Sequence, residues 1–288
     1  MFKDFSVKIK DFSELVMFEH SIFSMPFIFI AMCVAANGWF GWKLLIFGVI
    51  ATLSARNFAM AFNRCVDRRF DKTNPRTQNR PSVDGRISVK AMIVFIGINA
   101  LIFILVSFFI NPLCFYLSFP ILGVLAGYSL VKRVSSLAHL VLGLCLGLAP
   151  IAGVVAVSGE VLLWSLPLCV GVLFWVAGFD LLYSLQDVQH DKKEGLHSIP
   201  SFLGIERTLY LSRIFHILVI VFWALFIYWA KLGIFMWVGL VIAALFLAYE
   251  QYLVAKNFHN IPRAFFSVNG YLGVIFFGFC ILDLVIRG

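Results

Sequence analysis

Long apolar runs dominate this chain and limit what it can become. Nine of them, roughly 22–40, 43–62, 91–110, 113–131, 137–157, 161–186, 209–230, 232–254 and 264–286, are each near the length that crosses a bilayer as a helix. Hydrocarbon offers the backbone no hydrogen-bond partners, so a spanning segment must satisfy its own amides, and continuous rather than alternating apolar runs do this as helices. The breaks at Asn37-Gly38, Asn111-Pro112, Ser158-Gly159-Glu160 and Lys231 are short turns. With 61% hydrophobic and 13% charged residues, a soluble domain is excluded. The expected fold class is all-α: one polytopic membrane domain over 1–288 with nine transmembrane helices.

Charge sets the expected orientation. Lys3, Lys8 and Lys10 precede the first run, and Arg64, Arg68, Arg69, Lys72, Arg76, Arg80, Arg86 and Lys90 fill the 63–90 segment. Lys132, Arg133, Lys192, Lys193, Arg207, Lys256 and Arg263 lie in every second loop thereafter. The alternate loops hold only Lys43 and Lys231, and the C-terminus Arg287. Basic loops stay in the cytoplasm, so the N-terminus and segments 63–90 and 187–208 are expected there. Much of the net charge of +8 is thus topological, and its placement on span flanks gives no support for nucleic-acid binding. Residues 1–20 mix charge with apolar positions and read as an uncleaved amphipathic surface helix.

Two acidic segments stand out where apolar runs end on that side. In Asn63-Arg64-Cys65-Val66-Asp67-Arg68-Arg69-Phe70-Asp71, and again in Asp187-Val188-Gln189-His190-Asp191, carboxylates recur at i, i+4. On a helix this spacing places both on one face, about 6 Å apart along the axis. Arg56 lies two turns before Asn63 on the same face, and Asp180 two turns before Asp187. Charges so deep in an apolar run are costly, and function or pairing explains them; an Arg56–Asp180 salt bridge is the structural alternative. Asn74-Pro75 ends the first helix and Gly195 the second. The basic segment from Lys72 to Lys90 is a candidate lid.

Paired carboxylates suit Mg²⁺, whose usual partners are phosphates, and a membrane-edge location points to a lipid diphosphate. Asn63, Asp67, Asp71, Asp187 and Asp191 are the expected metal residues. Mg²⁺ there would neutralise the leaving group of an allylic diphosphate. Arg68, Lys132, Arg133 and Lys192 are candidates for its oxygens. An electron-rich aromatic ring would then attack the allylic carbon and lose a proton to a carboxylate such as Asp180 or Asp187, with bulk water kept out.

Other features carry less. The six cysteines form no CxxC and read as small buried hydrophobes. The six histidines lack zinc-site spacing. The 32 Phe residues read as lipid-facing, with a lipid-lined tunnel as the alternative. Gly143, Gly147 and Gly153 are expected to permit close helix packing and Asn269 to hydrogen-bond across helices. Glu250 is expected to be solvated, and Glu19 and His20 to contact either the acceptor or the interface.

At these residues the chain resembles the UbiA superfamily of intramembrane aromatic prenyltransferases. Asn63-Arg64, Asp67 and Asp71 look like its NDxxDxxxD motif, and Tyr183, Asp187 and Asp191 like its YxxxDxxxD motif, with Asp180 in register. Arg56 falls where the family has an Arg before the Asn. Tyr128-Ser129-Leu130-Val131-Lys132-Arg133 resembles its YPxxKR element with Ser for Pro. The resemblance implies nine helices around a central cavity, Mg²⁺ as cofactor, and a polyprenyl diphosphate and an aromatic acid as substrates. Arg56, Asn63, Arg68, Tyr128, Lys132, Arg133, Tyr183 and Lys192 would then bind substrate, with Asp67, Asp71, Asp180, Asp187 and Asp191 catalytic. It further implies a bacterial cytoplasmic (inner) membrane location with the active site facing the cytoplasm.

Quinone-pathway members use 4-hydroxybenzoate or a naphthoate. Here Arg64 replaces an acidic residue, Gln189 and His190 stand where many 4-hydroxybenzoate enzymes carry Asp, and Phe18 to Pro26 lacks their Arg-x-Asp-Lys-Pro. Asn74-Pro75-Arg76-Thr77 and Gly195-Leu196-His197-Ser198-Ile199-Pro200 resemble a bacterial subgroup that includes futalosine-route menaquinone enzymes. A haem, tetrapyrrole or glycerol-lipid acceptor is the alternative within the family. Ion-coupled transport is the competing class, and it would place the carboxylates near the bilayer midplane.

Overall fold

Among the described residues all regular structure is helical, as a chain that must satisfy its own amides in lipid requires. The computed structural model describes residues 2–17 and 25–287. Among the described residues eight helices are long and apolar enough to cross a membrane. The remaining expected span, 22–40, contains α2, Met25–Ala35, whose 11 residues rise only about 16 Å. Glu19 and His20 lie outside the described residues.

The chain divides into two units. The first comprises residues 1–21 and 49–130. It holds α1 (Phe2–Leu15), most of α3 (Trp42–Val66), α4 (Arg68–Thr73), α5 (Val89–Ile110) and nearly all of α6 (Pro112–Val131). Ser88 opens α5 by accepting from the Ala91 amide, and Asn111 accepts from the Cys114 amide in the first turn of α6. Leu15, Val16, Ala61, Ile87 and Met92 form one small core, and Phe58, Phe103 and Leu122 another. Although α5 is the most hydropathic span, only 22% of its most apolar stretch is buried. Ile93, Leu101, Leu105, Phe108 and Phe109 stay exposed, the surface of a helix meant for lipid.

The second unit comprises 22–48 and 131–288. It holds α2, α7 (Ala138–Ser158), α8 (Ser165–Ser184), α9 (Val188–Glu194), α10 (Ile199–Leu203), α11 (Ile205–Trp229), α12 (Ile234–Lys256), α13 (Ile261–Arg263) and α14 (Asn269–Arg287). Its core is aromatic: Phe27 lies 4.8 Å from Trp175 and 5.2 Å from Trp223 between ring centroids, and Trp223 stacks on Phe276 at 4.7 Å. The expected glycine packing is present. A Cβ on Gly143 would collide with the Leu173 carbonyl, one on Gly147 would sit 2.8 Å from the Cys169 carbonyl, and one on Gly153 2.7 Å from that of Ile28. All six cysteines are free.

Candidate active site

The first motif is built on the junction of α3 and α4. Asp67 leaves ideal helical geometry at φ −85° and ψ 4°, yet its amide still reaches the Asn63 carbonyl at 2.8 Å and the Asp71 amide reaches its own carbonyl at 2.9 Å. The i→i−4 ladder therefore runs through the break and keeps Asn63, Asp67 and Asp71 on one face. Asn74, extended at ψ 118°, ends α4 ahead of Pro75, as expected.

Both carboxylates of this motif are buried. Asn63 Nδ2 donates to Asp67 Oδ2 at 3.0 Å. Arg80 donates to Asp71 Oδ1 at 2.6 Å, whereas Asp71 Oδ2 is buried and unpartnered. The Thr77 hydroxyl donates to the Asp71 carbonyl at 2.9 Å, and Arg68 Nε donates to the Ser82 carbonyl at 2.7 Å. The 63–90 segment is thus folded on itself by its own polar groups.

The two arginines near this motif face α1. Arg56 donates to the carbonyls of Val16 and Met17 at 2.9 and 2.8 Å, just past the C-terminal end of α1, where orphan carbonyls favour a cation. Arg64, also buried, reaches Met17 Sδ at 3.2 Å and Asn63 Oδ1 at 3.4 Å. The alternative of an Arg56–Asp180 salt bridge is therefore replaced by backbone capping. Arg86 adds a clasp at the other edge of α1, meeting Glu14 at 2.7 and 2.9 Å, Asp11 at 3.2 Å and Asp84 at 2.7 Å. Hydrogen bonding to Arg86 holds the Glu14 carboxyl below its ordinary range, and the same pairing raises the guanidinium.

In the second unit α8 passes through a 3₁₀ turn, Leu185–Asp187, into α9, which ends at Gly195 with φ 66°. That value lies in the left-handed region that glycine fills at little cost. Asp191 is buried, Asp187 half-buried and Lys192 exposed. Tyr183 packs on Phe265 with ring centroids 4.4 Å apart, and Phe179 meets the same ring edge-on at 5.1 Å. Lys132 and Arg133 follow α6, and the Lys132 carbonyl accepts from the His197 amide at 2.7 Å, tying the basic pair to the loop beyond α9. Tyr128, half-buried near the end of α6, belongs to the first unit.

Asp180 is joined to His139, whose Nδ1 lies 2.7 Å from its Oδ2. Sequence spacing does not reveal this partner, because His139 is a lone histidine 41 positions upstream. The Arg80–Asp71 pair has no sequence signal for a related reason: Arg80 lies in a loop without periodicity, and only folding brings it to Asp71. The expectation for Glu250 is overturned. It is 1% exposed and accepts from Asn269 Nδ2 at 2.7 Å, because α12 packs against α14 there. Asn269 bridges helices as expected, also accepting from Trp175 Nε1 at 2.7 Å. Its amide further meets the carbonyls of Ala264 and Phe265 in the π-helical turn Ala264–Val268.

Among the described residues no three His, Cys, Asp or Glu side chains gather into a metal site. Mg²⁺ does not require one, since it binds through one or two carboxylates and fills its octahedron with water and phosphate oxygens. All-oxygen donors and the unpartnered Asp71 Oδ2 fit such an ion.

The same fold and sequence pattern occur in known proteins. The model of the UbiA prenyltransferase family matches residues 24–279. A 4-hydroxybenzoate octaprenyltransferase from Marinomonas sp. (strain MWYL1) is 34% identical over 205 residues, 68% of this chain and 71% of its own length. The apo structure of a UbiA homolog from Aeropyrum pernix K1 superposes with a TM-score of 0.84 at 28% identity, over 92% of this chain and 98% of that one. A UbiA homolog from Archaeoglobus fulgidus bound to GPP and Mg²⁺ shares the fold, with a TM-score of 0.76 at 17% identity over 96% and 99% of the two chains. The protein is an integral membrane enzyme, a polyprenyltransferase belonging to the UbiA prenyltransferase family.

Proposed function

We propose that this enzyme transfers a polyprenyl group from polyprenyl diphosphate to an aromatic acid, 4-hydroxybenzoate or a naphthoate, in respiratory quinone biosynthesis. The observation that carries the reading is the pair of carboxylate motifs at helix ends, the first with its acids buried on one continuous helical face. Relatives named for 4-hydroxybenzoate support the acceptor class. In this reading the site faces the cytoplasm of a bacterial inner membrane, because the basic loops lie on its side.

Asn63, Asp67, Asp71, Asp187 and Asp191 would hold Mg²⁺, which when bound neutralises diphosphate charge so that the allylic C–O bond can break. Arg68, Lys132, Arg133 and Lys192 supply N–H donors for diphosphate oxygens, which binds the substrate and steadies the charge it acquires on leaving. The aromatic ring attacks the allylic carbon, a C–C bond forms, and a carboxylate takes the ring proton. Tyr183 and the aromatic residues beside it keep water from the allylic cation.

Purified protein supplied with Mg²⁺, an all-trans polyprenyl diphosphate and a panel of hydroxybenzoates and dihydroxynaphthoates is expected to yield a prenylated acid by mass spectrometry, and chelation is expected to stop it. Absence of prenylated product with every acceptor would sink this reading.

A further inference from the structure

The His139–Asp180 pair lies outside the metal motifs. On α8, Asp180 is the lone charged residue between Ser165 and Ser184. It sits seven residues before Asp187, about 10 Å along the helix axis and nearly in phase with it. A carboxyl group at such a depth needs a committed partner. His139, 5% exposed in the first turn of α7, provides one at 2.7 Å. When ionised to act as a base, Asp180 can only accept, and the hydrogen of the pair then belongs to Nδ1. The other ring nitrogen, Nε2, is buried and has no hydrogen-bond partner among the described residues, where the imidazole's polar contact is with Asp180. The Asp180 side chain keeps 22% of its surface accessible while Oδ2 is held.

We infer that Asp180 is the carboxylate that takes the proton from the aromatic acceptor, and that His139 is the positioning residue that aims it. This rests on the transferase reading above and deepens it. In the step, the allylic C–O bond breaks with its electron pair leaving on the diphosphate. The new C–C bond forms from the ring π electrons, and the C–H pair returns to the ring as the proton passes to Asp180. Water takes the proton up after product leaves. Asp187 and Asp191 suit this less, because a carboxylate holding a cation is a weak base. Asp180 is placed deeper, as a base acting on a ring beyond the diphosphate must be.

The test uses full-length protein, an allylic diphosphate, and 4-hydroxybenzoate with hydrogen or deuterium on the ring carbons beside its hydroxyl. In the wild type, C–O cleavage is expected to limit the rate, so that deuterium has little effect. Asp180→Asn is expected to lower kcat about 10²–10⁴-fold, the contribution of a general base. His139→Leu is expected to lower it about 10–100-fold, the worth of one hydrogen bond to a charged group. Both should acquire a primary deuterium isotope effect with KM for the diphosphate little changed. His139→Asn, which offers an N–H where Nδ1 stood, should recover most of the rate and keep the test open if the Leu variant misfolds. Loss of rate without an isotope effect, or full activity in Asp180→Asn, would overturn the inference while leaving the transferase reading intact. A wild type that prenylates no acceptor removes both.

Discussion

At the scale of single residues, the site is made of charges that have already found partners. Asp71 sits buried with Arg80 on one oxygen and, among the described residues, no partner on the other. Buried carboxylates demand a counter-charge, and Arg80 supplies it where a divalent ion would otherwise sit. Replacing Arg80 with Gln is therefore expected to tighten Mn²⁺ binding, about tenfold for one charge-assisted bond given up, read directly by paramagnetic resonance of the free ion. Unchanged or weaker binding would show that Arg80 does not stand in for a cation. Arg56 and Asp180 were legible in the sequence as anomalous charges, because an ionised group in an apolar run has few reasons to be there. Their partners were not. Arg56 binds main-chain carbonyls, which no side-chain pattern encodes, and Asp180 binds a histidine from another helix.

Among elements, the spans were the most legible part, since a run near 20 apolar residues has few alternatives to a helix. The stops were also readable, at Asn74 by the proline after it and at Gly195 by glycine itself, which takes a left-handed φ there. The π-helical turn at Ala264–Val268 was hidden, because an extra residue in a helix leaves no trace in an apolar run. Asn269 completes that turn by meeting the Ala264 and Phe265 carbonyls, and the turn carries the Phe265 ring that packs on Tyr183 of the second motif. Asn269→Leu leaves Glu250 and Trp175 without their partners in a buried setting. The expected cost is about 1–3 kcal/mol of stability, seen as a lower Tm in detergent. A Tm equal to the wild type would mean the network contributes nothing.

For the whole molecule, an inside-out composition follows from the solvent it is built for. The second unit has a stacked aromatic core, and exposed Leu, Ile and Phe side chains line helices in both units. The reaction class was legible from two motifs because the chemistry of a diphosphate restricts what can hold it. The acceptor was not, because ligand choice generally depends on the shape of a binding pocket, to which residues far apart in sequence contribute. In the proposed transferase reading, Asp67, Asp71, Asp187 and Asp191 serve a single diphosphate. That claim is tested most directly by a structure of the protein with Mn²⁺ and a non-hydrolysable prenyl thiodiphosphate, the metal located by anomalous scattering. The expected result is metal and diphosphate held together by carboxylates of both motifs. Metal and diphosphate held by one motif alone, or seated elsewhere, would contradict it.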